Sequence, residues 1–281
     1  MKYKTIVVHL DHSDRSPVRA ALAARWARAH ESHLVGLLPT GTYDGVIPAD
    51  AIPTGMTDFI AQSADYLRRR AASISRAFRE SIAATGALSY EVRLVDGATI
   101  DAVVQHGHAS DLVVLGQDDA SSAADVSVHG LAGHVLMEVG RPVLIVPSAG
   151  QFEGVARNAV VAWNGSRESA VALHAALPAL RCASRVTLVS FRHPKEDDDD
   201  DRQPCVADML QFLSRHGIHA TFERNITDID VADALLSRVS DRGADLLVMG
   251  GYGRSRLREL VLGGVTRRIL AKMSLPVLMA H

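Results

Sequence analysis

The chain has 281 residues, 47% of them apolar and 22% charged, with a net charge of −2. That length suits two domains of ordinary size, and the balance gives no general drive toward nucleic acid or an anionic membrane. No apolar run reaches the ~18 residues a membrane helix needs, and no signal-peptide pattern precedes the first strand, so the expected compartment is the cytoplasm.

Thr5 to Leu10, ending at Asp11, is near-continuously apolar, as a parallel strand covered on both faces would be. Ser13, Asp14 and Ser16-Pro17 are helix-start signals, and the alanine-rich stretch Val18 to His30 follows as a helix. Ser32 to Leu38 reads as a second strand, Pro39 to Met56 as a long loop, and Thr57 to Ala84 as a long helix stopped at Gly86. Ser89 to Val95 is a third strand, Thr99 to His106 a helix, Asp111 to Leu115 a fourth strand, and 117–128 a loop. Leu131 to Val139 is a helix and Pro142 to Val146 a fifth strand.

The order then starts again. Ala159 to Asn164 matches Ile6 to Asp11, Gly165 to Ser169 matches His12 to Ser16, Ala170 to Leu180 is the next helix, and Arg185 to Phe191 the next strand. Asp111 to Gly116 aligns with Asp245 to Gly250, and without a gap Arg141 to Ile145 aligns with Leu275 to Met279. The chain is therefore a tandem duplication of one α/β unit, residues 1–148 and 154–281, joined by the polar linker Ser148 to Glu153. The expected fold class is α/β: two tandem Rossmann-like units, each a five-stranded parallel sheet with helices on both faces. Ligands of such sheets lie beyond the carboxyl ends of the strands where strand order reverses, which puts the end of strand one and the turn after strand four at one crevice.

The sharpest motif is in the second unit. The apolar run Asp245 to Met249 ends in Gly250-Gly251-Tyr252-Gly253, and a second glycine pair, Gly263-Gly264, opens a helix from Val265 to Lys272. Strand, glycine turn and glycine-started helix present free backbone N–H groups and a positive helix end to an anion, so a phosphate-bearing ligand is expected. Gly250-x-x-Gly253, nine residues and Gly263, with a hydroxyl residue at Thr266, resembles the ATP-binding motif of the universal stress protein family. That family usually has Ser or Thr directly after the last glycine, where this chain has Gly264; Thr266 is the substitute.

The resemblance covers both halves and implies a nucleotide in the crevice, with the halves paired as a pseudo-dimer through Pro142–Val146 and Pro276–Ala280. Carried over by position, the candidate contacts around the base and sugar are Trp163, Asn164 and Val189. Those around the phosphates are Met249, Gly250, Gly253, Arg254, Gly263, Gly264, Val265 and Thr266. Val189 would offer backbone to the adenine edge and Arg254 could reach a phosphate, while Trp163 could stack on a base, although a Trp at a strand end is more often plain packing. Asn164 stands where the family carries an Asp; the first unit has that residue as Asp11. Opposite Gly253, Gly263 and Thr266 the first unit has Asp119, His129 and Ala132, so it keeps the turn and loses the cradle.

The implied ligand is ATP, ADP or AMP, with Mg for the polyphosphates, in the second unit, and the implied role is a stress-response nucleotide-binding or signalling module. A homodimer is compatible with this, and no nucleic-acid or membrane partner is expected. The alternatives are a ligand-free interaction protein and a slow ATPase on the same site. Other stretches read as structure: His9, Asp11, His12 and Asp14 as strand end and helix cap rather than a metal site, and Asp197 to Asp201 as a solvated loop. No Gly-x-Ser-x-Gly, His-Glu-x-x-His or Walker lysine motif is present, and no general base is evident beside the glycine turn.

Overall fold

The computed structural model describes residues 2–40, 56–86, 89–118, 130–192, 194, 206–253 and 264–281. In the first half, β1 (Thr5–His9), α1 (Ser16–His30), β2 (His33–Pro39), α2 (Met56–Thr85) and β3 (Tyr90–Val95) are followed by α3 (Thr99–Gly107), β4 (Leu112–Gly116), α4 (Leu131–Glu138) and β5 (Val143–Val146). In the second, β6 (Asn158–Ala162), α5 (Arg167–Leu180), β7 (Arg185–Arg192), α6 (Val206–Arg215) and β8 (Ala220–Ile226) are followed by α7 (Val231–Asp241), β9 (Leu246–Gly250), α8 (Gly264–Lys272) and β10 (Val277–Ala280). The elements α6, β8 and α7 go beyond the sequence expectations. The loop expected at 117–128 and the acidic run at 197–201 lie largely or wholly outside the described residues.

All ten strands form one sheet in the order β3-β2-β1-β4-β5-β10-β9-β6-β7-β8. Within each half every pairing is parallel, and the halves meet where β5 pairs antiparallel with β10, Val143 opposite Met279, Leu144 opposite Leu278 and Ile145 opposite Val277. The central strands are apolar because both faces are covered. Ile6, Val8 and Leu10 point into a core under α1, α2, α5 and α6, while Val7 joins the opposite core under α3, α4, α7 and α8. Both cores draw residues from both halves.

The aspartate that opens strand four has a structural task in each half. Asp111 Oδ2 accepts the backbone N–H groups of Lys4 and Thr5 at 2.7 and 2.9 Å. The Asp245 carboxylate accepts those of Arg157 and Asn158 at 2.9 and 2.8 Å. Each thus fastens the start of its own first strand to the strand beside it. The linker is held as well: Arg15 Nη2 donates to the Pro147 and Gly150 carbonyls, and Arg25 Nη1 to that of Phe152. Among the described residues, no helix is long and apolar enough to cross a membrane.

In each half the chain runs outward from the first strand, then returns to place the fourth on its other side. The reversal lies between β1 and β4, and between β6 and β9. These are the two crevices in which a ligand of this fold would sit.

Candidate functional site

At the second crevice, β6 ends at Ala162 and the chain turns through Asn164 and Gly165 into α5. Asn164 is exposed, and its Oδ1 accepts the Ser166 N–H at 3.1 Å, a local turn that aims the chain into the helix. Ser166 caps α5 by accepting the Ser169 N–H at 3.2 Å. The first turn of α5 presses directly on the end of β9. A Cβ on Gly250 would lie 2.6 Å from the Glu168 carbonyl carbon and 2.7 Å from the Ser169 nitrogen, so only glycine permits this approach. The glycine turn therefore faces an α5 N-terminus as well as the start of α8, two positive helix ends at one place.

Among the described residues, a Cβ on Gly253 would meet only the Glu168 carboxyl, its Oε2 at 3.4 Å. Glu168 is the residue that sequence reasoning missed: its half-buried carboxylate lies along the glycine turn, with Arg167 Nη1 3.9 Å from Oε1. The signal available was its place in the first turn of the helix following the strand-end Asn164. Gly264 and Val265 are exposed at the start of α8, and among the described residues nothing lies within 4 Å of a Cβ on Gly264. Met249 is buried in the sheet, paired with Met279. Arg254 and Gly263 lie outside the described residues, as do Asp119 and His129 of the first half.

Three of the expected contacts have structural tasks in the fold. Thr266 is buried, and its hydroxyl accepts the Tyr252 N–H at 3.1 Å, which pins the turn to α8. Trp163 is 5% exposed and packs in the core under α1 and α5, so its ring is no open stacking surface. Val189 lies inside β7 rather than at its end, and its carbonyl already accepts the Trp163 N–H at 2.9 Å. In a parallel strand successive residues turn their backbone groups to alternate neighbours. Val189 bonds toward β6, and Arg192 bonds toward β8 by accepting the Thr227 N–H at 2.9 Å. Phe191 therefore turns its backbone to the β6 side, beyond the point where β6 has ended, and replaces Val189 as the strand edge at the crevice.

The first crevice is closed from within. Arg19 is 3% exposed; its Nε donates to the His9 carbonyl at 2.7 Å and its Nη2 meets Asp11 Oδ2 at 2.8 Å. Its Nη1 lies where a Cβ on Gly116 would be, at 2.4 Å. Asp11 is thereby committed to an internal partner, while its Oδ1 accepts from the Ser13 N–H and hydroxyl. Burial raises the Asp11 carboxyl, but Arg19, His9 and the Ser13 hydrogen bonds together hold it well below the usual carboxylate range. Burial, with Arg19 beside it, brings the His9 imidazole down to about 4. The 3.8 Å separation of His9 Nδ1 from Asp11 is thus a neutral contact near pH 7. No group of three or more His, Cys, Asp or Glu able to hold a metal occurs among the described residues.

Comparison with known proteins points one way. The universal stress protein family model matches residues 156–281. A universal stress protein of Synechocystis is 23% identical over 71% of this chain and 68% of its own. The crystal structure of a universal stress protein from Archaeoglobus fulgidus covers 98% of this chain and 97% of its own, at 16% identity, with a TM-score of 0.73. A universal stress protein solved in complex with cAMP covers 52% of this chain at 24% identity, with a TM-score of 0.37, a likeness that bears on no ligand of this chain. The second half, with its glycine turn at the β6–β9 switch, carries the match to the universal stress protein family, and the whole chain shares the α/β fold of a solved universal stress protein.

Proposed function

We propose that the C-terminal half binds an adenine nucleotide, and that the protein acts as a nucleotide-responsive stress-signalling module of the cytoplasm. The observation that carries this reading is the convergence of the Gly250–Gly253 turn with the first turns of α5 and α8 at the strand-order switch. The phosphates would lie on the backbone of Gly250, Gly253, Gly264 and Val265, with Gly263 and Arg254 completing the cradle. The sugar and base would run past Asn164 toward the Phe191 backbone. Glu168 sets a condition. Two unit charges at about 4 Å repel by ~1 kcal/mol in water and by more in a shielded cleft. A polyphosphate beside Glu168 would therefore enter with a divalent cation such as Mg2+ between the two, which suits magnesium's habit of binding through one or two carboxylates plus phosphates.

The test is to denature freshly purified protein and identify any released small molecule by mass spectrometry, then titrate ATP with Mg2+ into ligand-free protein. About one adenine nucleotide per chain is expected, and Gly253→Asp, which copies the first half, should abolish binding at an unchanged thermal midpoint. Two nucleotides per chain would contradict the closed first crevice.

The burial of the Thr266 hydroxyl and the carboxylate beside the turn favour a second reading, a ligand-free interaction protein. It predicts that nothing is released and that neither ATP with Mg2+ nor AMP raises the thermal midpoint.

A further inference from the structure

We propose that the N-terminal half serves as the abutment of the C-terminal site: its helix α4 seats the Gly250–Gly253 turn and fixes where that turn offers its backbone to a ligand. The inference rests on the nucleotide reading above and adds a task for the half that has no open crevice of its own.

The turn is gripped on three sides. On the α8 side, the Tyr252 N–H donates to Thr266 Oγ1 at 3.1 Å. On the β10 side, the Gly251 N–H donates to the Ala280 carbonyl at 2.9 Å, and His281 Nδ1 lies 3.0 Å from the Gly251 carbonyl. The third side belongs to the other half. A Cβ on Gly251 would lie 2.5 Å from Leu136 Cδ2, and one on Gly133 would lie 2.6 Å from Tyr252 Oη. Leu136 and Gly133 are both in α4. Tyr252 is 6% exposed and has a φ of +50°, a conformation that non-glycine residues adopt rarely and that persists only where the surroundings enforce it.

Gly133 has no local reason to be glycine. Its φ is not in the left-handed region, and glycine weakens a helix interior relative to alanine. What needs it is the Tyr252 ring on the other side of the seam. The reciprocal contact exists too. Gln117, aligned with Gly251, donates from Nε2 to the Leu270 carbonyl of α8 at 2.7 Å, and its Oε1 accepts the Ser148 N–H at 2.8 Å. Each half thus holds the strand-four turn of the other. With Arg19 and Asp11 filling the first crevice, only one of the two turns so held is free to meet a ligand.

The experiment is a rescue cycle in the full chain, read by calorimetric titration of ATP with Mg2+ and by the thermal midpoint. Gly133→Ala pushes the rigid ring, and through it the turn. It should weaken ATP about tenfold, within the usual span of coupling between sites, without lowering the midpoint. Adding Tyr252→Phe to that variant removes the atom that the new methyl meets and should restore affinity to within about twofold, a non-additivity expected only of residues in contact. Should Gly133→Ala fail to fold, Tyr252→Gly carries the same expected loss, because it removes the ring and keeps the turn's backbone. Wild-type affinity in Gly133→Ala, or a further loss instead of rescue on adding Tyr252→Phe, would overturn the abutment and leave the nucleotide site standing. If the wild-type chain binds no ATP, the nucleotide reading falls and the abutment with it.

Discussion

In the N-terminal half the guanidinium of Arg19 stands where the C-terminal half has only the methyl of Ala172. That one difference fills the gap between α1 and the end of β4, while α5, free of such a side chain, closes onto Gly250. Breaking a buried ion pair by removing one partner leaves the other uncompensated. Arg19→Met should therefore lower stability by about 3 kcal/mol in urea unfolding, with no second nucleotide gained. Two buried histidines, one in this cluster and one at the end of α1, make the fold acid-sensitive. His9 and His30 are both brought down to about 4 from 6.5, His9 by burial and Arg19, His30 by burial and Lys2. Between those values the unfolded chain binds more protons than the folded one, so stability is full above pH 6.5 and falls as pH drops toward 4. Asp11, depressed in the fold, extends the loss below that range. One pKa unit is worth about 1.4 kcal/mol, so His9→Gln should flatten the fall between pH 6.5 and 4 by about 3 kcal/mol, measured as urea unfolding free energy at the two ends.

At the scale of elements, two glycines in the same motif have opposite tolerances. Gly250 lies where the α5 backbone touches the end of β9, and a methyl there would overlap the Glu168 and Ser169 main chain. Gly250→Ala meets two backbone atoms and the Glu168 Cβ, none of which can swing aside, and should cost about 1–3 kcal/mol, the range for overpacking, and separate α5 from the turn. Gly264 is exposed, and no described residue lies within 4 Å of a Cβ placed on it. Gly264→Ser would supply at the start of α8 the hydroxyl that the family usually has after its last glycine. It should strengthen ATP binding severalfold in calorimetry with little change in stability; unchanged or weaker binding would mean that the start of α8 does not face the phosphates. The strands around these glycines were legible because a parallel strand covered on both faces leaves a continuous apolar run, as at Thr5–Leu10 and Asp245–Met249. The edge strand β8 left a weaker trace, since it mixes half-exposed and exposed residues and carries Glu223 and Arg224.

For the whole molecule, the sequence showed which residues recur but not what each recurrence touches. The glycines of the turn could be placed because their spacing follows the strand. The tasks of Thr266 and Val189 could not, because each is set by a partner from another element: the Tyr252 N–H and the Trp163 N–H. Arg19 and Tyr252 were silent for the same reason, as their partners lie across a crevice and across the seam. That seam makes a further prediction. Leu144, Ile145, Val277 and Leu278 are fully buried where β5 meets β10, and both cores run through residues of both halves. Neither half could open without exposing the other's apolar face, so the chain should unfold in one calorimetric transition whose van't Hoff and measured enthalpies agree. Arg19→Met, confined to the first half, should shift that single transition as a whole. Two transitions, with only the first moved by the substitution, would mean that the antiparallel seam is too weak to couple the halves. It would also leave α4 unable to serve as a fixed support for the turn it touches.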